Sequence, residues 1–165
     1  MYSLKKLSVF LIAPALLLSF TKLTDHPDFS GEWKLNEAKS DLGQFANYAA
    51  HTIKVTQTPD SITIAKTSVS MSGDEVTNTE TLSYDGKETK TTIYHNSTRT
   101  ASSKWSDDGK SLTITYDLML NFNEQQTEVK GTDVWTMGDD GKTLTSQNNS
   151  SSTYGDTQAK GVYEK

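Results

Sequence analysis

No cysteine occurs anywhere in the 165 residues. That one absence excludes a disulfide framework, a thiolate zinc site and a lipid anchor on an N-terminal cysteine. Arginine is nearly missing as well: Arg99 stands alone, which argues against a protein built to read phosphates. There is no G-x-S-x-G nucleophile elbow and no glycine-rich phosphate loop, and the S-x-x-K spacing occurs only at Ser3 to Lys6 and Ser19 to Lys22, in and at the end of the apolar leader. The three histidines, His26, His51 and His95, have no H-x-x-x-H or H-x-H partners, so each reads as a surface residue rather than a metal ligand. No apolar run reaches the roughly 20 residues that a membrane-spanning helix needs. A catalytic residue, a metal and a cofactor are therefore not indicated, and the chain does not read as an enzyme.

The first 21 residues have the layout of an export signal: a basic "MYSLKK", then the apolar-rich Leu7 to Phe20, then small Ser19 and Thr21 flanking Phe20. Cleavage is expected near Thr21, leaving a short linker over 22–28 and one domain over 29–165. An uncleaved anchor is the alternative. The reading places the mature protein in the periplasm or outside the cell. Losing Lys5 and Lys6 moves the formal charge from −5 to about −7, which disfavours nucleic acid and anionic membranes as partners.

The mature part is rich in Thr, a strand former, and it alternates. "HTIKVTQT" puts Ile53 and Val55 on one face, "SITIAKTS" puts Ile62 and Ile64 together, and "VTNTETLSY" sets Val76, Leu82 and Tyr84 opposite Thr77, Thr79 and Thr81. The strongest pattern is "SLTITYDLMLNF", with Leu112, Ile114, Tyr116, Leu118, Leu120 and Phe122 in phase, a period-2 signal that fits no helix. Turn signals separate the runs: "TPDS", "MSGDE", and the Asp-Gly hairpin signal in "DGKE". "DDGKSLT" at 107–113 recurs as "DDGKTLT" at 139–145, each soon after a tryptophan. The pairs Asp107/Asp108 and Asp139/Asp140 lack the alternating acidic ligands of a calcium loop, and the recurrence reads as one hairpin turn used twice. About ten strands result, and closing such a meander into a barrel hides its edges. Only 36–50 lacks strand character. A short helix carrying Leu42, Phe45 and Tyr48 is expected there.

With the strands in place, "GEWKLN" gains meaning. A Gly-x-Trp in the first strand resembles the opening of lipocalin-type (calycin) barrels. More narrowly, the chain resembles a family of exported, uncharacterised bacterial lipocalin-like proteins. Phe29 with Gly31 to Ser40, Tyr84 to Lys87, Asp140 to Thr145 and Val162 to Lys165 carry that likeness across the mature chain. The resemblance implies a single antiparallel up-and-down barrel of eight to ten strands, in which Trp33 plugs one end and Gly31 lets the chain pass closely. It also implies a basic side chain from the last strand, usually Arg, stacked over the Trp. Lys160 and Lys165 are the residues available here. In a bacterial protein the acceptor patterns at Asn96 and Asn149 carry no glycan.

The function implied is binding of a small apolar or amphipathic molecule in the barrel. A side-chain-filled module of the cell envelope, with no ligand, is the alternative. The expected interior residues are Tyr84, Tyr94, Trp105, Tyr116 and Trp135, with Arg99 among them, and Phe45 and Tyr48 form a lid. Ser97, Arg99, Ala101, Ser103 and Trp105 share one face. If that face points inward, Arg99 can hold an anionic group in the cavity. If it points outward, Arg99 is a solvated cation.

Overall fold

The computed structural model describes residues 26–165, except residues 48, 71, 94, 95, 123 and 124 and the side chains of Phe45 and Phe122. The expected leader over 1–21, most of the linker, and Tyr48, Tyr94 and His95 lie outside the described residues. Ten strands form a single up-and-down sheet: β1 (Gly31–Leu35), β2 (Thr52–Gln57), β3 (Ser61–Val69), β4 (Glu75–Ser83), β5 (Thr89–Thr92), β6 (Thr98–Trp105), β7 (Ser111–Phe122), β8 (Gln125–Met137), β9 (Thr143–Ser152) and β10 (Gly155–Glu164). The order is β4-β3-β2-β1-β10-β9-β8-β7-β6-β5, every pairing antiparallel. The wrap of β10 onto β1 brings the first and last strands together and rolls the sheet into a nearly closed barrel.

One seam remains. β4 and β5 are the sheet's edges and share no backbone ladder. Side chains bridge β4 to β6 instead: Ser103 Oγ donates to the Ser83 carbonyl at 3.0 Å, and Arg99 Nε donates to Glu80 Oε2 at 3.0 Å. Unpaired edges invite pairing with other chains, and here the β4 edge is tied to β6 by these side-chain bonds.

Alternate connections lie at opposite ends. Every Asp-Gly turn falls at the end where the first strand begins. In the two repeat turns the second Asp does the work: Asp108 Oδ1 accepts from Ser106 Oγ and the Lys110 amide, and Asp140 Oδ1 accepts from the Lys142 and Thr143 amides. These bonds, the Ser106 hydroxyl first for Asp108 and the Lys142 amide first for Asp140, hold both carboxyls below their ordinary pKa. The repeated motif is thus a repeated turn.

That end is filled solid. Phe29, Trp33, Ile53, Ile62, Ile64, Leu82, Leu112, Ile114, Trp135 and Leu144 are all buried to 1% exposure or less. Trp33 Nε1 donates to the Phe29 carbonyl at 2.8 Å, so the plug satisfies its own polar atom. Gly31 has φ +133, a conformation that other residues rarely adopt, and a Cβ there would sit 3.1 Å from the Lys165 stem. Lys165 Nζ lies 4.6 Å from the Trp33 ring centroid. Of the two lysines available, Lys165 therefore takes the place over the tryptophan, while Lys160 shares a two-bond bridge with Asp41.

The connection over 36–50 forms no α-helix. It makes two short 3-10 turns, Glu37–Lys39 and Gly43–Phe45, because Asn36 caps the first with its side chain and Asp41 then pairs with Lys160 and pulls the chain onto β10. A single α-helix cannot run through a residue that is held in a β-bridge.

Candidate functional site

Above the apolar plug the barrel is hollow. A cavity of about 660 Å³ occupies the other half and is roofed on one side by Leu42, Gln44, Ala49 and Ala50 of the first connection. The change of character can be followed along single strands. On β3 the inward series runs Ile62, Ile64, Lys66, Ser68, and on β9 it runs Leu144, Ser146, Asn148, Ser150. Apolar side chains fill one end, and short polar ones leave space at the other.

Among the described residues, four charged side chains line this space: Lys66, Glu80, Arg99 and Asp133. They come as two ion pairs. Arg99 Nε meets Glu80 Oε2 at 3.0 Å with side-chain exposures of 16% and 10%, and the guanidinium lies 4.1 Å from the Tyr116 ring centroid. Lys66 Nζ meets Asp133 Oδ2 at 3.0 Å with exposures of 31% and 4%, and it also lies 5.4 Å from the Trp135 ring centroid. Ser146 Oγ donates to the other Asp133 oxygen.

Burial pushes the Asp133 carboxyl up. The Lys66 charge and the hydrogen bonds from Ser146 and Lys66 outweigh it, so the pKa falls below that of an ordinary carboxylate. Burial, and then the Asp133 charge, push the Tyr163 phenol well up, which keeps it a neutral donor at the cavity wall. A carboxyl whose folded pKa is lowered contributes stability above its unfolded value of about 4, and that stability is lost as pH falls through the folded value. Asp133→Asn is therefore expected to lose about 2 kcal/mol at neutral pH. The gap from the parent should shrink as urea midpoints are followed downward through the acid range below Asp133's unfolded value of about 4. A gap of constant size would show that Asp133 ionisation is not coupled to folding.

Tyr116 owes its position to its cross-strand partner. It pairs with Gly131 on β8, and a Cβ at that glycine would lie 2.6 Å from the Tyr116 ring. The absent side chain lets the ring lie flat across the strand and reach Asn148, whose Nδ2 donates to the phenol oxygen at 2.9 Å.

Of the residues expected inside, Arg99 and Tyr116 line the cavity. The face carrying Arg99 points inward. Tyr84 and Trp105 share that inward phase but sit at the plugged end: Trp105 stacks on Phe29 at 5.8 Å and on exposed His26 at 4.2 Å, and Tyr84 lies 5.5 Å from Trp105. Tyr94, Tyr48 and the Phe45 side chain lie outside the described residues. His51 is partly exposed, with Nε2 3.4 Å from Glu75. Lys66, Glu80 and Asp133 were not singled out in the sequence. The signal available was a lone charge in phase with apolar neighbours, as in Ile62-x-Ile64-x-Lys66.

Among the described residues, no three of His, Cys, Asp and Glu gather as metal ligands, and no helix is long and apolar enough to cross a membrane. The Ser146–Asp133–Lys66 trio does not resemble an activated nucleophile. The serine donates to a carboxylate of lowered pKa, which is a weak base.

No family model matches the chain, and no curated protein sequence matches it. Among solved structures, the crystal structure of the zebrafish ileal bile acid-binding protein complexed with cholic acid is similar, with a TM-score of 0.52 and 15% identity over 83% of this chain and 98% of that chain. At that identity the likeness is one of fold alone, an antiparallel up-and-down β-barrel.

Proposed function

We propose that this protein is a carrier that binds a small amphipathic molecule in the open half of its barrel, after export from the cytoplasm. The observation that carries the reading is the cavity of about 660 Å³ above a solid plug. It falls within the range of about 300–1,000 Å³ in which small ligands are held. Its wall is mixed, with Ile64, Leu118, Leu120 and Val129 beside hydroxyls, amides and two ion pairs. Such a wall suits a ligand with both apolar and polar parts. The structural neighbour, a bile acid-binding protein by name, adds support from a barrel of the same fold. The other reading, an envelope module filled by its own side chains, fits the plugged half of the barrel and leaves the hollow half without a purpose.

Native mass spectrometry of the protein purified from its own envelope tests this. A bound small molecule that is lost on organic extraction is the expected result. A clean apo mass, together with no uptake of a fluorescent acyl probe, would sink the carrier reading. Export is tested separately by expressing the full chain: processed protein is expected in the periplasm or medium, and full-length protein held in the inner membrane would contradict cleavage near Thr21.

A further inference from the structure

The geometry points to an uncharged ligand head group bearing hydroxyls or amides, and away from a carboxylate or an ammonium; this rests on the carrier reading above. Among the described residues, the cavity's charges sum to zero, two cations against two anions. Each cation is already matched at 3.0 Å by a carboxylate of the same chain.

Consider an entering carboxylate. At Arg99 it must either displace Glu80, whose side chain is 10% exposed, or sit beside it as a second negative charge. At Lys66 it meets Asp133, 4% exposed and held by Ser146. Both routes leave a buried carboxylate short of its counter-charge, the arrangement proteins tolerate least. An ammonium meets the converse problem, because each acidic group is already matched by its own cation.

A neutral head group breaks neither pair. Ionised carboxylates accept several hydrogen bonds each, so Glu80 and Asp133 retain acceptor capacity toward a ligand hydroxyl or amide N–H. Arg99 uses Nε toward Glu80, and a guanidinium has further N–H donors, which can serve an acceptor that need not be charged. The surrounding hydroxyls and amides of Ser68, Asn78, Thr127 and Ser150 donate or accept as required. Among its described residues the mixed wall thus offers polar groups without a net charge.

Three probes with the same ten-carbon chain separate the possibilities: 1-monodecanoylglycerol, decanoate and decylammonium, titrated calorimetrically into the full-length mature protein at a pH where the charged probes stay ionised. The monoglyceride is expected to bind about tenfold or more tightly than either charged probe. Equal or tighter binding of decanoate or decylammonium overturns the inference and leaves the carrier reading standing. Binding of none of the three would remove the carrier reading and this inference with it.

Two variants test the cause. Glu80→Gln uncovers Arg99, and Asp133→Asn uncovers Lys66 by a separate route. Each is expected to move the ratio of the monoglyceride to decanoate affinities toward decanoate by about tenfold. If both variants keep the parent's far-ultraviolet circular dichroism and the ratio stays where it was, the ion pairs do not set selectivity and the inference fails.

Discussion

Replacing Trp33 by alanine is expected to remove about 3–5 kcal/mol of stability, read as a lowered urea midpoint. Trp33 is fully buried and packs among the other fully buried apolar side chains of the plugged end. Its Nε1–H holds the Phe29 carbonyl, and Phe29 in turn stacks on Trp105 and meets Trp135 edge-on at 5.8 Å. Truncation opens a cavity in the one part of the barrel that has none. It also frees the segment before β1 from its anchor. With no cysteine, no covalent tie limits the loss, and a domain of this size holds only about 5–15 kcal/mol in total. Lys165→Ala serves as the control. It keeps the indole and loses only a cation over its face, an effect of about 0.5–1 kcal/mol at an exposed site. If Trp33→Ala cost no more than Lys165→Ala, the plug would be an ornament of the fold and its stability would lie elsewhere.

The second large effect is expected at Arg99. Arg99→Ala should cost about 3–5 kcal/mol, because Glu80 stays buried with no counter-charge. Two contacts go together: the bond to Glu80, which bridges the unpaired β4–β6 seam, and the stack on Tyr116. The paired substitution Glu80→Leu with Arg99→Met removes both charges and keeps comparable bulk. It is expected to return to within about 1 kcal/mol of the parent, as buried ion pairs replaced by apolar residues often do. Denaturation of the parent, the two single variants and the double variant closes a thermodynamic cycle. A loss under about 1 kcal/mol for Arg99→Ala would mean that Glu80 relaxes to solvent through the seam, so that the pair does not hold the barrel shut.

Most of the strand map was legible in the sequence. The alternation from Ser111 to Phe122 coincides with β7 from end to end, and the Asp-Gly pairs fall in turns. Period 2 identifies which residues share a face, and one buried Ile or Leu then identifies the inner face. It says nothing about depth. Trp105 and Arg99 lie on the same inner face of β6, yet one packs at the plug and the other in the cavity. Tyr84 and Glu80 divide in the same way on and just beyond β4. Height along a barrel is set by ladder register with neighbouring strands, such as Arg99 opposite Leu118 and Trp105 opposite Leu112, and register is a property of pairs.

The polar half of the interior was hidden for a related reason. In a filled barrel the inner face reads as unbroken apolar residues. Here Lys66 and Ser68 continue the phase of Ile62 and Ile64, and Asn78 and Glu80 that of Leu82. By composition alone they look like solvent-facing positions. The missing helix over 36–50 was illegible because the bridge between Asp41 and Lys160 joins residues more than a hundred positions apart.

The sequence by itself determined the all-β class, the positions of the turns and the absence of disulfide cross-links, because alternation, turn chemistry and residue types are local properties. Only the tertiary structure decided that Arg99 meets Glu80 and Lys66 meets Asp133, and so that the cavity carries no net charge among its described residues. Those pairs join strands that the chain visits far apart, and they form only once hydrogen-bonded ladders have fixed the height of every strand around the barrel.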